Sequence, residues 1–290
     1  MPVAPAPSAD AIFSGAAPDA SPRPPAARSP ATSFRGRPPF LAEAARYRVS
    51  YSLTGEVGQA LIRFAPAAGS GQMVVRASGI GQGAVLGFGK TEKRVESEFD
   101  TRALQSMRWT MTRTSGSETV VDIAEQPKAG AVSVLRKRAG QPDQNESMTR
   151  ATSVLDPLGL LLRLRVAPLT APSTFEVLDG RALWLLTLSA ARPTKDHLLQ
   201  LDGRAEPIYW DGSPDRERTG RNFSLFLNDD GFRTPMRLTV PFGPGEARAE
   251  LVQLTRASAS RWRFIRRLLP SSPRLSPVKQ KPLSALLPTE

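Results

Sequence analysis

The sequence predicts a mainly β protein: a curved antiparallel meander or half-barrel of about a dozen strands around one short helix. Three observations predict it. Apolar and polar residues alternate in short runs, Gly, Pro, Asn and Ser punctuate most of those runs, and a single internal segment shows helical spacing. Strand after strand without intervening helices favours a meander over βαβ units.

Residues 1–39 are rich in alanine, proline and serine and nearly devoid of large apolar side chains, so burial cannot offset their ordering entropy. They are expected to be a disordered linker. From Phe40 the pattern changes. Tyr47, Val49 and Tyr51 alternate with polar neighbours, Gly55-Glu56 makes a turn, and Ala60, Ile62 and Phe64 repeat the alternation. Further strand-like runs are Met73–Ala77, Glu92–Phe99, Met107–Arg113, Thr119–Ile123 and Val132–Arg138. The polar stretch Arg138–Arg150 is expected to be a long loop. Strand patterns resume at Phe175–Leu178, Ala182–Ala190, His197–Leu201, Pro207–Trp210, Phe223–Leu227, Pro235–Val240 and Ala247–Leu254. Asp229-Asp230-Gly231 fits a hairpin turn. The β-rich domain thus spans 40–255, and 256–290 form a basic, proline-rich tail.

One segment breaks the β rhythm. Asp156 can cap free N–H groups, and Pro157 suits the first helical position, where its missing donor costs nothing. Leu158, Leu161, Leu162 and Arg165 then follow helical spacing, and Pro168 stops the helix. Leu160 and Leu164 make it apolar almost all round, which predicts burial in the concavity of the sheet.

Composition closes several chemistries. The 290 residues include no cysteine, so disulfides and thiolate metal sites are excluded, and His197 is the one histidine. The net charge of +12 is concentrated at the end: residues 256–290 carry +7 and residues 38–255 only +3. Nucleic acid is therefore not expected as a partner. No apolar stretch approaches the ~20 residues of a spanning helix.

Motifs that carry chemistry are few. Ala84-Val85-Leu86-Gly87-Phe88-Gly89-Lys90-Thr91 fits a relaxed phosphate-loop pattern, which needs a helix to follow. Residues 92–99 alternate like a strand instead, so the segment reads as a glycine-rich bend. A nucleotide-binding enzyme using 84–91 is kept as the alternative. No Gly-x-Ser-x-Gly elbow occurs, and nothing brings carboxylates such as Glu96, Glu98, Asp229 and Asp230 together. No catalytic residue, cofactor or metal is expected. In the tail, Trp262, Ile265 and Leu269 would share a helix face flanked by arginines, a pattern that can meet an anionic membrane surface.

Three stretches together resemble the bacterial family known as domain of unknown function 3108. They are Glu43–Phe64, the helix opening Asp156-Pro157-Leu158 that closes on Leu164-Arg165, and Phe226–Asp230 with Arg233 and Pro235. Phe226 stands where similar proteins often have tryptophan, and Gly159-Leu160 where serine and alanine are usual. The resemblance implies a secreted or periplasmic cell-envelope domain, with a signal segment upstream of Met1. If Met1 is the true start, the protein is cytoplasmic. The resemblance brings no catalytic residues, and Asp156, Pro157, Arg165 and Pro235 are expected to be structural. By fold-level analogy with lipoprotein carriers, the concave face could hold a lipid chain or hydrophobic polypeptide, with Leu158, Leu161, Leu162, Trp184 and Trp210 as the candidate groove. The other readings are that these side chains complete the core, or that the protein is a purely structural envelope or interaction protein.

Overall fold

The computed structural model describes residues 42–67, 71–81 and 91–256. The expected linker, residues 84–90 of the glycine-rich segment and residues 257–290 of the tail lie outside the described residues.

Alternation becomes strand here because one side of each run finds a core. β1 (Glu43–Tyr51) buries Ala45, Tyr47 and Tyr51 and turns Arg46 and Arg48 outward. An antiparallel meander continues through β2 (Gly55–Pro66), β3 (Gln72–Gly81), β4 (Thr91–Asp100), β5 (Gln105–Ser115), β6 (Glu118–Lys128), β7 (Ala131–Arg138) and β8 (Gln144–Thr149). The chain then passes through β9 (Val154–Leu155) and the helix α1 (Pro157–Val166). A second meander follows: β10 (Ser173–Asp179), β11 (Ala182–Leu188), the short β12 (Arg192–Pro193), β13 (Leu198–Ile208), β14 (Arg221–Asn228), β15 (Pro235–Phe242) and β16 (Gly245–Arg256). Because β16 pairs with β1, the two meanders join into one curved sheet of 16 strands whose free ends are β8 and β9. It is not closed into a barrel.

The architecture is the mainly β class that the alternation predicts, with more strands than expected and several boundaries moved. The expected loop at Arg138–Arg150 contains β8, an edge strand in which Met148 alone is buried. His197–Leu201 and Pro207–Trp210 belong to a single long strand, β13. His197 precedes that strand, in a turn at φ +57°, where its backbone N–H donates to the Thr194 carbonyl at 3.3 Å. Thr91 opens β4, so a strand and not a helix follows the glycine-rich segment.

The helix forms as its ends dictate. The Asp156 carboxylate accepts from the Leu158 N–H at 2.9 Å, Pro157 occupies the first turn, and the chain turns extended at Ala167. Its inner position is set by packing. Leu158, Leu160, Leu162 and Leu164 are all buried, in one cluster with Phe64, Val75, Phe99 and Met111 from β2–β5 and Leu188, Leu201, Leu225 and Leu227 from the second meander. A second cluster joins the sheet's two ends, with Trp109, Val132, Val134 and Met148 against Leu178, Leu183 and Ile208.

Side chains replace the missing ladder where those ends meet. Gln126 on β6 mimics a neighbouring strand: its amide donates to the Val154 carbonyl at 3.1 Å and accepts from the Val154 N–H at 2.9 Å. Arg181 reaches Gln144 and Glu146 of β8, and Arg150 forms a two-point pair with Glu176 of β10.

Candidate functional site

Two polar clusters on the inner face involve α1. In the first, the fully buried Asp156 carboxylate accepts the hydroxyls of Ser97 and Ser106, each at 2.6 Å, besides capping α1. Burial pushes its carboxyl above the ordinary 3.8, against the pull of those hydrogen bonds. Gly159 sits tightly over this cluster. A Cβ there would lie 2.2 Å from the Ser106 hydroxyl and 2.9 Å from Asp156, so a side chain at this position would require these groups to shift.

In the second cluster, Arg165 of α1 forms a forked pair with Glu43 at 3.0 and 3.2 Å and donates to the Phe232 carbonyl at 2.9 Å. Its guanidinium lies 4.8 Å from the centre of the Phe64 ring. Arg256 adds a third contact to Glu43 at 3.0 Å, and Tyr47 donates to the Pro235 carbonyl at 3.0 Å. Burial pushes the Tyr47 phenol well above its usual range. This lattice ties the helix to β1, β15 and β16. Asp156, Arg165 and Pro235, expected to be structural, are thus engaged in holding the helix and the strands around it.

The five candidate groove residues do not form one wall. Leu158 and Leu162 are buried in the larger cluster, and Leu161 and Trp184 pack against it half-buried. Trp210 packs against the other cluster, where its indole N–H donates to the Arg181 carbonyl at 3.1 Å. Trp184 lies under the Arg218 guanidinium, 5.3 Å from its ring centre.

On the opposite face of β2–β5 the strands enclose an open trough of about 550 Å3. Strand register arranges its floor in rows. One row reads Arg63, Arg76, Glu96, Thr110 across the four strands, and the next reads Leu61, Ser78, Arg94, Thr112. The same register places Glu98 opposite Arg108, just before a bulge between Glu98 and Phe99.

Most of these charges are already paired. Arg76 grips Glu96 at 2.7 and 3.1 Å, Arg94 pairs with Glu92 at 2.6 Å, and Arg108 with Glu125 at 3.4 Å. Arg63 and Glu98 have no such partner among the described residues. Arg63 also stands directly opposite Arg76, a like-charge placement that disfavours the sheet slightly. Sequence reasoning missed this site. In the sequence nothing brings Glu96 and Glu98 together with other charges, and the opposition of Arg63 and Arg76 becomes visible only once the β2–β3 register is known.

No family model matches the chain, and no curated protein matches it. Among solved structures, it is similar to a β-barrel-like protein of domain of unknown function 1849 from Brucella abortus. That match has a TM-score of 0.50 at 11% identity and covers 76% of this chain and 99% of the other. The chain shares that fold. A Bacteroides fragilis protein with a YmcC-like fold aligns over 78% of this chain and 100% of its own, with 6% identity and a TM-score of 0.28. The likeness to the Brucella protein shows a β-barrel-like fold and does not single out domain 3108.

Proposed function

We propose that this chain is a non-enzymatic binding domain of the bacterial cell envelope, related to domain 3108, whose ligand meets the outer trough of β2–β5 rather than the concave face. The observation that carries this reading is a division of labour between the faces. The inner carboxylates and guanidiniums, Asp156, Glu43 and Arg165, are buried and engaged in structural bonds. The outer recess presents two charged side chains with no partner among the described residues, Arg63 and Glu98. A lipid chain or hydrophobic polypeptide on the concave face would have to displace α1, whose leucines complete the core. The absence of chemistry rests on the same grounds, since the carboxylate best placed to act, Asp156, is sealed from solvent. The envelope assignment rests on the resemblance to domain 3108.

Titration with cis-parinaric acid tests the choice of face. The full chain is expected to give no saturable fluorescence increase. Saturable uptake that weakens in Leu161→Ala, with the fold intact, would transfer the site to the concave face. For the assignment to the envelope, fractionation of the native host should recover the protein outside the cytoplasm, and recovery from cytoplasm alone would refute it.

A further inference from the structure

Arg63 and Glu98 carry opposite charges and stand on different strands of one trough. By ordinary sheet spacing their Cα atoms are about 12 Å apart, two strands across and two residues along. Long side chains reaching inward shorten that gap to the scale of a small molecule. Between them lies the two-point Arg76–Glu96 bridge, with the Ser78, Thr110 and Thr112 hydroxyls beside it. A purely anionic ligand would leave Glu98 uncompensated and repelled, and a purely cationic one would do the same to Arg63. A ligand bearing both charges relieves both.

Resting on the outer-face reading above, we infer that the trough binds a zwitterion of the phosphoethanolamine type, its phosphate at Arg63 and Arg76 and its ammonium at Glu98. Phosphate suits the anionic end because Arg63 and Arg76 stand opposite each other in the strand register there, and guanidinium forks match phosphate oxygens. The Arg63–Arg76 opposition becomes favourable once an anion sits between the two. The ammonium has Glu98 to itself, because Arg108, opposite Glu98, is drawn to Glu125. The recess of about 550 Å3 has room for more than the headgroup, and Leu61 adds apolar lining beside the polar floor. The same chemistry could come from a free phosphoester or from a lipid headgroup.

Isothermal titration of the full chain at low ionic strength tests this, with phosphoethanolamine and with ethyl phosphate, which lacks only the ammonium. Wild type should bind phosphoethanolamine about fivefold more tightly than ethyl phosphate, the scale of one exposed charge contact. Glu98→Gln should abolish that preference and leave ethyl phosphate bound as well as before or better. Arg63→Gln should weaken both ligands about tenfold, while Arg216→Gln, an equal charge change at an exposed residue away from the trough, should change neither. Short-chain phosphatidylethanolamine kept below its micelle concentration separates the two sources. Tighter binding than phosphoethanolamine, lost together with it in Arg63→Gln, identifies a lipid headgroup, and equal binding identifies a soluble phosphoester. Equal affinity for the two small ligands, a preference that survives Glu98→Gln, or equal effects of Arg63→Gln and Arg216→Gln would each overturn the inference. If neither phosphate binds and cis-parinaric acid is excluded, the zwitterion is wrong and the outer-face reading stands. If cis-parinaric acid enters, the outer-face reading fails with it.

Discussion

The two faces of β2–β5 are made by the same strands, yet they obey different rules. Val95, Ser97 and Phe99 point inward from β4 and are buried, whereas Arg94, Glu96 and Glu98 point outward from the same ten residues. Inside, the buried charges Asp156, Glu43 and Arg165 are all engaged, because an unpaired one would cost the fold on the order of 1–3 kcal/mol or more. The Trp109 indole N–H is left without a partner among the described residues. Outside, water stands in for a partner, so Arg63 and Glu98 can remain unpaired cheaply. The inner face therefore has little freedom to do anything except fold, and the outer face is where recognition can be built without loss of stability.

The largest effect should come from breaking the buried ion lattice. Arg165→Ala removes the fork to Glu43 and the bond to the Phe232 carbonyl, leaving Glu43 buried with Arg256 as its remaining guanidinium partner. Urea unfolding should show a loss of about 3–5 kcal/mol. A loss below about 1 kcal/mol would mean that the lattice is as dispensable as a surface pair.

A pair of neighbouring substitutions makes the contrast sharper. Phe99→Ala deletes a fully buried ring and should cost about 3–5 kcal/mol, while Glu98→Gln, one residue away on the outer face, should stay within about 0.5 kcal/mol. Comparable losses at the two positions would erase the distinction between the faces.

Asp156 supplies a pH signature of the inner face. A carboxyl raised by folding favours the folded state while protonated; that contribution is complete below its ordinary 3.8 and is lost as pH rises through the folded value. Asp156→Asn keeps the cap acceptor and removes the titration. Wild-type stability relative to this variant should therefore fall as pH rises from about 4 through the mildly acidic range, as followed by urea midpoints. A relative stability that rises instead would place the hydrogen bonds above burial in setting this group.

The outer bridge should also contribute little. Arg76→Gln opens the Arg76–Glu96 pair, which is half-exposed, and thermal melting should register less than about 1 kcal/mol. Removing the charge opposite Arg63 could even offset part of that loss.

Legibility in the sequence followed the same division. The helix was plain because its signals are local: a capping Asp156, Pro157 inside the first turn and Pro168 beyond the end. β1 and β4 were plain because Tyr47 and Tyr51, or Val95 and Phe99, repeat every second or fourth residue. β8 was hidden because an edge strand that buries only Met148 has no apolar alternation to show. β13 was split because Asp202, Gly203 and Pro207 read as breaks, although Gly203 lies under the Phe223 ring and Pro207 is an interior strand residue. The burial of Arg165 was suggested by its place on an apolar helix, but its partner Glu43 lies 122 positions away, beyond any local pattern. The trough was the least legible feature. Its residues are the ordinary polar members of alternating strands, and only the cross-strand register turns them into a site.

The most direct test of this account is a nuclear magnetic resonance titration of the full chain with phosphoethanolamine, following the arginine Nε–Hε signals and the leucine methyls. The account predicts that Arg63 and Arg76 shift in a saturable manner while Arg165 and the methyls of Leu158 and Leu162 stay where they are. Saturable shifts at Arg165 or at those leucines, with Arg63 unmoved, would contradict it.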